Sequence, residues 1–295
     1  MDWTPGGLSR DVEDRRDSSG GGGFGFGGGG LGIVGILFLL VISLITGRNY
    51  IGSYLSGGGR VTTPSSSSTR PVEHSAAEDR SAQLVSFTLD DVQQTWEKLL
   101  PEQTQHPYRH AKLVLFRGYT RSGCGAAQSQ TGPFYCPQDE KVYIDLSFWD
   151  ELRRLGGGTA EFAQAYVVAH ELGHHVQNIL GIEQQMRQLQ ARNPGAKNQL
   201  SVMLELQADC LAGVWGHSAE ARGIIHQDDV DAGLKAAAAV GDDHIQKMSR
   251  GAVSPESFTH GSSEQRQTWF MRGLKSGEVS QCNTFQSAGR SSGSF

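Results

Sequence analysis

The chain has no excess of positive charge. Across 295 residues, 26 Lys and Arg stand against 31 Asp and Glu, a formal net charge of −5. No basic patch gathers along it, so nucleic acid is not expected as a partner. Cysteine is scarce: there are four, and none stands in a C-x-x-C array. That argues against a closed, Cys-rich structural metal site. The four fit two disulfides in an oxidising compartment, with Cys124 and Cys136 bracketing a Gly/Ser/Gln loop and Cys210 and Cys282 as a second possible pair. The rival is four buried thiols in a cytosolic domain. No internal repeat is evident, and roughly 200 folded residues suffice for one core and one domain.

One long apolar run carries no charge, residues 31–47. At 1.5 Å per residue it spans roughly 25 Å, within range of a bilayer core. Tyr50, Ile51 and Tyr54 would suit an interface. A cleaved signal peptide would start nearer the N-terminus, and low-complexity flanks argue against a buried core helix. The expectation is one transmembrane helix. Arg10, Arg15 and Arg16 before it and Arg48 and Arg60 after it nearly balance the positive-inside count. The cysteines therefore decide the orientation: N-terminus inside, folded domain on the extracytoplasmic side of the cell membrane. Residues 1–30 read as a disordered Gly-rich tail, 48–80 as a flexible linker, 81–285 as the folded domain and 286–295 as a disordered tail.

Within the folded part the pattern predicts an α+β class, mainly helical with a small sheet. Residues 84–100 read as a helix with Val92, Trp96, Leu99 and Leu100 on one side. Residues 112–116 and 141–145 read as strands, with a long loop holding Cys124 and Cys136 between them. A short helix over 147–155 ends at Gly156-Gly157-Gly158. Residues 182–200 are polar and helix-forming, 228–248 read as one helix with Asp242, Asp243 and Lys247 at the surface, and a last helix starts near Ser262 or Ser263.

The densest chemistry lies in residues 165–177, where His170-Glu171-Leu172-Gly173-His174 forms an H-E-x-x-H pattern. In a helix, residues four apart sit one above the other, so both imidazoles would point at one spot. Phe162, Tyr166, Ala169, Gly173, Val176 and Leu180 repeat at helical intervals. Thr159 can cap the start and Gly181 can stop it. Two such histidines suit one Zn²⁺, with Glu171 placed to take a proton from a water there.

A hydrolytic zinc site needs a third protein ligand. A His six residues after the second ligand is one solution, but Leu180 stands there. The other is a carboxylate from a later helix. The apolar stretch 201–215 holds Glu205 and Asp209, four apart on one face. Glu205 can be the third ligand, and Asp209 can accept the free ring N–H of a ligating His, with His170 the chosen partner. His260, on a loop beyond both helices, is a candidate oxyanion donor, against a structural or capping role. His175 points about 100° away from His174 around the helix, which suits packing.

These blocks resemble the bacterial neutral zinc metallopeptidase family. Its Tyr-x-x-x-His-Glu-x-Gly-His-His-x-Gln block stands at Tyr166 to Gln177, and its Glu-Leu-Gln-Ala-Asp-Cys block at Glu205 to Cys210. Gly132 to Pro137, Phe258 to Gly261, and Gln265-Arg266 with Trp269-Phe270 are similar too. The resemblance implies a membrane-anchored, zincin-like enzyme with a thermolysin-type site of two His and one Glu, one catalytic Zn²⁺, and peptide or protein substrates. The competing class is a membrane-anchored binding or scaffold protein whose zinc is structural or vestigial. A complete general base beside the ligands favours hydrolysis.

Overall fold

The structure, a computed structural model, describes residues 1–17, 74–158 and 160–285. It is α+β. The strands are β1 (Val12–Asp14), β2 (Lys112–Phe116), β3 (Tyr119–Ser122), β4 (Gly125–Gln128), β5 (Phe134–Cys136) and β6 (Lys141–Asp145). The helices are α1 (Ala76–Thr104), α2 (Phe148–Arg154), α3 (Glu161–Ile179), α4 (Ile182–Arg192), α5 (Lys197–Ala221), α6 (Gln227–Ala239), α7 (Asp242–Arg250) and α8 (Ser263–Ser276).

The main sheet has the order β1-β2-β6-β5. The β1-β2 and β2-β6 pairs are parallel, while β5 runs antiparallel to β6. Alternation explains how β2 serves two layers: Leu113 and Leu115 face the helical core, whereas Val114 and Phe116 join Cys136 and Tyr143 in a smaller cluster. The β3-β4 hairpin and β5 hold the long loop, stapled by Cys124–Cys136. The second disulfide is Cys210–Cys282. Both pairs suit the oxidised alternative.

The first residues overturn an expectation. Residues 1–17 fall in the stretch expected to be a disordered tail, yet Val12, Glu13 and Asp14 pair with Leu113, Val114 and Leu115. The reason is ionic and backbone bonding rather than apolar burial. Asp11 accepts from Lys112 Nζ at 2.7 Å and lies 2.6 Å from His110 Nδ1, while buried Arg16 donates to Asp14 and Asp79. The Met1 ammonium donates to Asp229 at 2.7 Å. The folded domain therefore starts before Ser81.

The membrane reading lacks support as well. Residues 31–47 themselves lie outside the described residues, as do the rest of 18–73 and the tail 286–295. Among the described residues no helix is long and apolar enough to cross a membrane. The single-pass anchor, and the orientation built on it, are withdrawn.

Two smaller differences have local causes. The helix expected over 228–248 breaks at Gly241, where a Cβ would lie 2.4 Å from Ser263 N. The α3 helix has Ala160 as its N-cap residue, and Thr159 lies outside the described residues. At the centre, α3 packs on α5 and α5 on α8, with Phe162 stacked on Trp215 and the Tyr166 ring edge-on to Phe270. The α5-α8 crossing is close because both sides present glycine: a Cβ on Gly273 would lie 1.9 Å from the Cys210 carbonyl oxygen, and one on Gly213 2.1 Å from that of Phe270. We expect Gly273→Ala to push these helices apart and destabilise the fold by about 2–3 kcal/mol, lowering the melting temperature by roughly 5–10 °C. An unchanged melting curve would contradict this packing.

Candidate metal centre

The α3 and α5 helices bring His170, His174 and Glu205 together, with one potential ligand atom from each within 4.8 Å of the others. Gly173 permits the approach, since a Cβ there would lie 2.9 Å from the Ala208 carbonyl oxygen. His170 Nε2 lies 3.2 Å from Glu205 Oε2, and His174 Nε2 lies 3.6 Å from Glu205 Oε1. The rings sit edge-to-face with centroids 4.9 Å apart.

What lies behind the rings fixes their tautomers. His170 Nδ1 is 2.8 Å from Asp209 Oδ1, and His174 Nδ1 is 2.8 Å from Gln177 Oε1. Both partners accept, so each Nδ1 carries the hydrogen and each Nε2 presents a lone pair. With both rings neutral, two ring nitrogens and a carboxylate face one another as acceptors, with no hydrogen to share. A cation between them resolves the conflict, and two imidazoles with one carboxylate are a donor set that suits Zn²⁺. Without an ion, the same surroundings draw a second proton onto the rings, which again marks a site that favours positive charge. Burial works to lower the His170 pKa, but Asp209 and Glu205 outweigh it and push it up to about 9. Burial works to raise the Glu205 carboxyl, but His174 and His170 hold it well below the usual carboxylate range.

Glu171 is buried beside the pair, and burial raises its pKa even against the neighbouring imidazoles. His260 is half-buried. The Asp242 carboxylate accepts the N–H groups of Thr259, His260 and Gly261 at 2.7, 2.6 and 3.0 Å, holding the His260 loop, and His260 Nδ1 lies 3.2 Å from Asp242 Oδ1. His260 is close enough for its charge and that of Glu205 to act on each other. Asp242, expected at the surface, is thus buried and organises this loop. His175 packs as expected: it is fully buried, with Tyr135 Oη 2.9 Å from Nδ1 and the Arg109 carbonyl 2.7 Å from Nε2.

Several residues that sequence reasoning gave no role complete the centre. Arg266 of α8 donates to Asp209 Oδ2 at 2.8 Å and Oδ1 at 2.9 Å, and the Tyr166 hydroxyl also donates to Oδ1. Burial would raise the Asp209 carboxyl, but Arg266 and His170 hold it at about 2. Gln177 lies three residues after His174, on the same helix face, a spacing that could have marked it. Tyr166 lies four residues before His170 and could have been found likewise. Nothing in the spacing points to Arg266, which reaches the site only through tertiary packing.

Residues 1–285 match the family described as "Putative neutral zinc metallopeptidase". The chain belongs to this family. YpfJ of Escherichia coli, an uncharacterized protein, is 49% identical over 290 residues, spanning 97% of this chain and 99% of YpfJ. Rv2575 of Mycobacterium tuberculosis, also uncharacterized, is 43% identical over 215 residues, 69% of this chain and 70% of that protein. No solved structure matches.

Arg266→Leu would leave a buried carboxylate without its cation, a change that typically costs about 3–5 kcal/mol. Urea unfolding should register a loss of that order in the metal-free protein. A loss under about 1 kcal/mol would show that Asp209 does not depend on Arg266.

Proposed function

We propose that this protein is a zinc-dependent peptidase. The observation that carries the reading is the convergence of three acceptor atoms, from His170, His174 and Glu205, with the buried carboxyl of Glu171 alongside. Those three residues would hold the ion. Bound there, Zn²⁺ would supply a Lewis acid that makes a water easier to deprotonate and a peptide carbonyl more electrophilic.

The protein's own groups do the rest. Glu171 takes the proton of the attacking water and returns it to the amine that leaves. Its raised pKa suits a group that must hold a proton briefly and release it. Asp209 and Gln177 keep the two imidazoles turned with Nε2 inward. His260, on the loop that Asp242 organises, can donate an N–H to the oxyanion as the carbonyl carbon becomes tetrahedral. For the substrate backbone, β5 offers an edge: it ends the described sheet, and its Tyr135 is hydrogen-bonded to His175 and Asn178 of α3. An extended peptide added there would lie beside the α3 helix. Two disulfides favour an extracytoplasmic location for the domain.

Glu171→Gln keeps the shape and the three acceptor atoms but loses the proton carrier. We expect one zinc per chain in both forms, and casein or peptide-library hydrolysis at least 10²-fold slower in the variant. Undiminished hydrolysis would remove Glu171 from the reaction. Zinc without hydrolysis in either form would favour a binding role.

A further inference from the structure

The His174 ring rests on a hydrogen-bonded chain that leads away from the metal-binding atoms and ends at a disulfide. Gln177 Nε2 donates to the Leu204 carbonyl at 2.8 Å and to Gln207 Oε1 at 3.0 Å. With both amide hydrogens committed, its oxygen is the atom that faces His174 Nδ1. Gln207 Nε2 then donates to the Cys282 carbonyl at 3.0 Å. Gln177, Gln207 and Cys282 are all buried, so bulk water cannot stand in for a missing link. Cys282 closes the short turn Val279–Cys282 beyond α8. Besides the Gln207 hydrogen bond, the segment is tied to α5 by the Cys210–Cys282 bond and by the Thr284 hydroxyl donating to the Met203 carbonyl at 2.7 Å. Cys210 also directly follows Asp209, the residue behind His170.

We propose that the Cys210–Cys282 disulfide is a positioning element of the metal centre, acting through Gln207 and Gln177 on His174. By fixing the Cys282 carbonyl, it sets the Gln207 amide. That amide sets Gln177, whose oxygen keeps the hydrogen of His174 on Nδ1 and leaves Nε2 bare toward Glu205. A dithiol reductant would be oxidised to its own disulfide while the protein bond takes up two electrons and two protons and opens to two thiols. The turn bearing Cys282 would lose its covalent tie, and the Gln207 amide would lose its fixed acceptor. His174 could then adopt the tautomer that places hydrogen on the metal-facing nitrogen. Metal affinity thereby becomes tied to the redox state of the compartment. Cys124–Cys136 staples the β-strand region and takes no part in this chain.

The inference rests on the metal reading above, so its test includes a readout that needs no metal. Zinc affinity would be measured on the full chain by competition with a chromophoric chelator. The variants are Cys210→Ala/Cys282→Ala, Gln207→Met, their combination, and Cys124→Ala/Cys136→Ala. Nitrogen-15 NMR of the histidine rings in the zinc-free forms, at a pH high enough to leave the rings neutral, would report the His174 tautomer. We expect the first two to bind zinc about 10–100-fold more weakly, the size typical for groups behind metal ligands. The combination should be no weaker than the worse of the two, and Cys124→Ala/Cys136→Ala should match the parent. His174 should hold its hydrogen on Nδ1 in the parent and lose that preference in both weakened forms. An unchanged tautomer after loss of Cys210–Cys282 would overturn the proposal, as would losses that add in the combination. If the parent takes up no zinc, the metal reading fails, while the ring nitrogens still decide the relay.

Discussion

Three acceptor atoms forced to face one another are the constraint on which this structure turns. Two neutral imidazole nitrogens and a carboxylate repel unless a metal ion or an added proton lies between them, and a folded chain keeps them in place only if each group is held from behind. Here Asp209 holds His170 and Gln177 holds His174. Asp209 is in turn a buried anion, which would be costly alone; the Arg266 guanidinium and Tyr166 hydroxyl offset it. The need for backing therefore propagates outward from α3 to α5 and then to α8. The glycines at 173, 213 and 273 let these helices come close enough for such short side-chain bonds to form.

The peripheral elements serve the same arrangement. Asp242 draws three backbone N–H groups of the 259–261 loop onto one carboxylate, which is what keeps His260 near Glu205. On the other side, the buried contact between Tyr135 and His175 fixes the β5 edge against α3. The reactive atoms, the loop histidine and the strand edge are thus tied together by buried hydrogen bonds.

How much of this could be read from the residues follows from the range of the interactions. The α3 helix and its H-E-x-x-H pattern were readable because helical periodicity and metal-ligand spacing are both local. Glu205 and Asp209 were readable because carboxylates in an apolar helix demand partners. β2 and β6 were readable as β-branched, apolar runs. By contrast, β1 is three residues long and held by ion pairs with residues about a hundred positions away, so its own stretch looks like a polar tail. Asp242 was hidden for the same reason: a charged residue reads as surface until the partner that buries it is known. Arg266 stood in a stretch that resembles the family, but its partner Asp209 lies 57 positions away and only packing shows the pair.

The most direct test of the central claim is a crystal structure of the zinc-loaded protein with anomalous data at the zinc edge. The account predicts one strong peak about 2.0–2.2 Å from His170 Nε2, His174 Nε2 and a Glu205 oxygen. It also predicts that Asp209 and Gln177 remain on the two Nδ1 atoms. A peak elsewhere, or one that leaves Glu205 free, would contradict it.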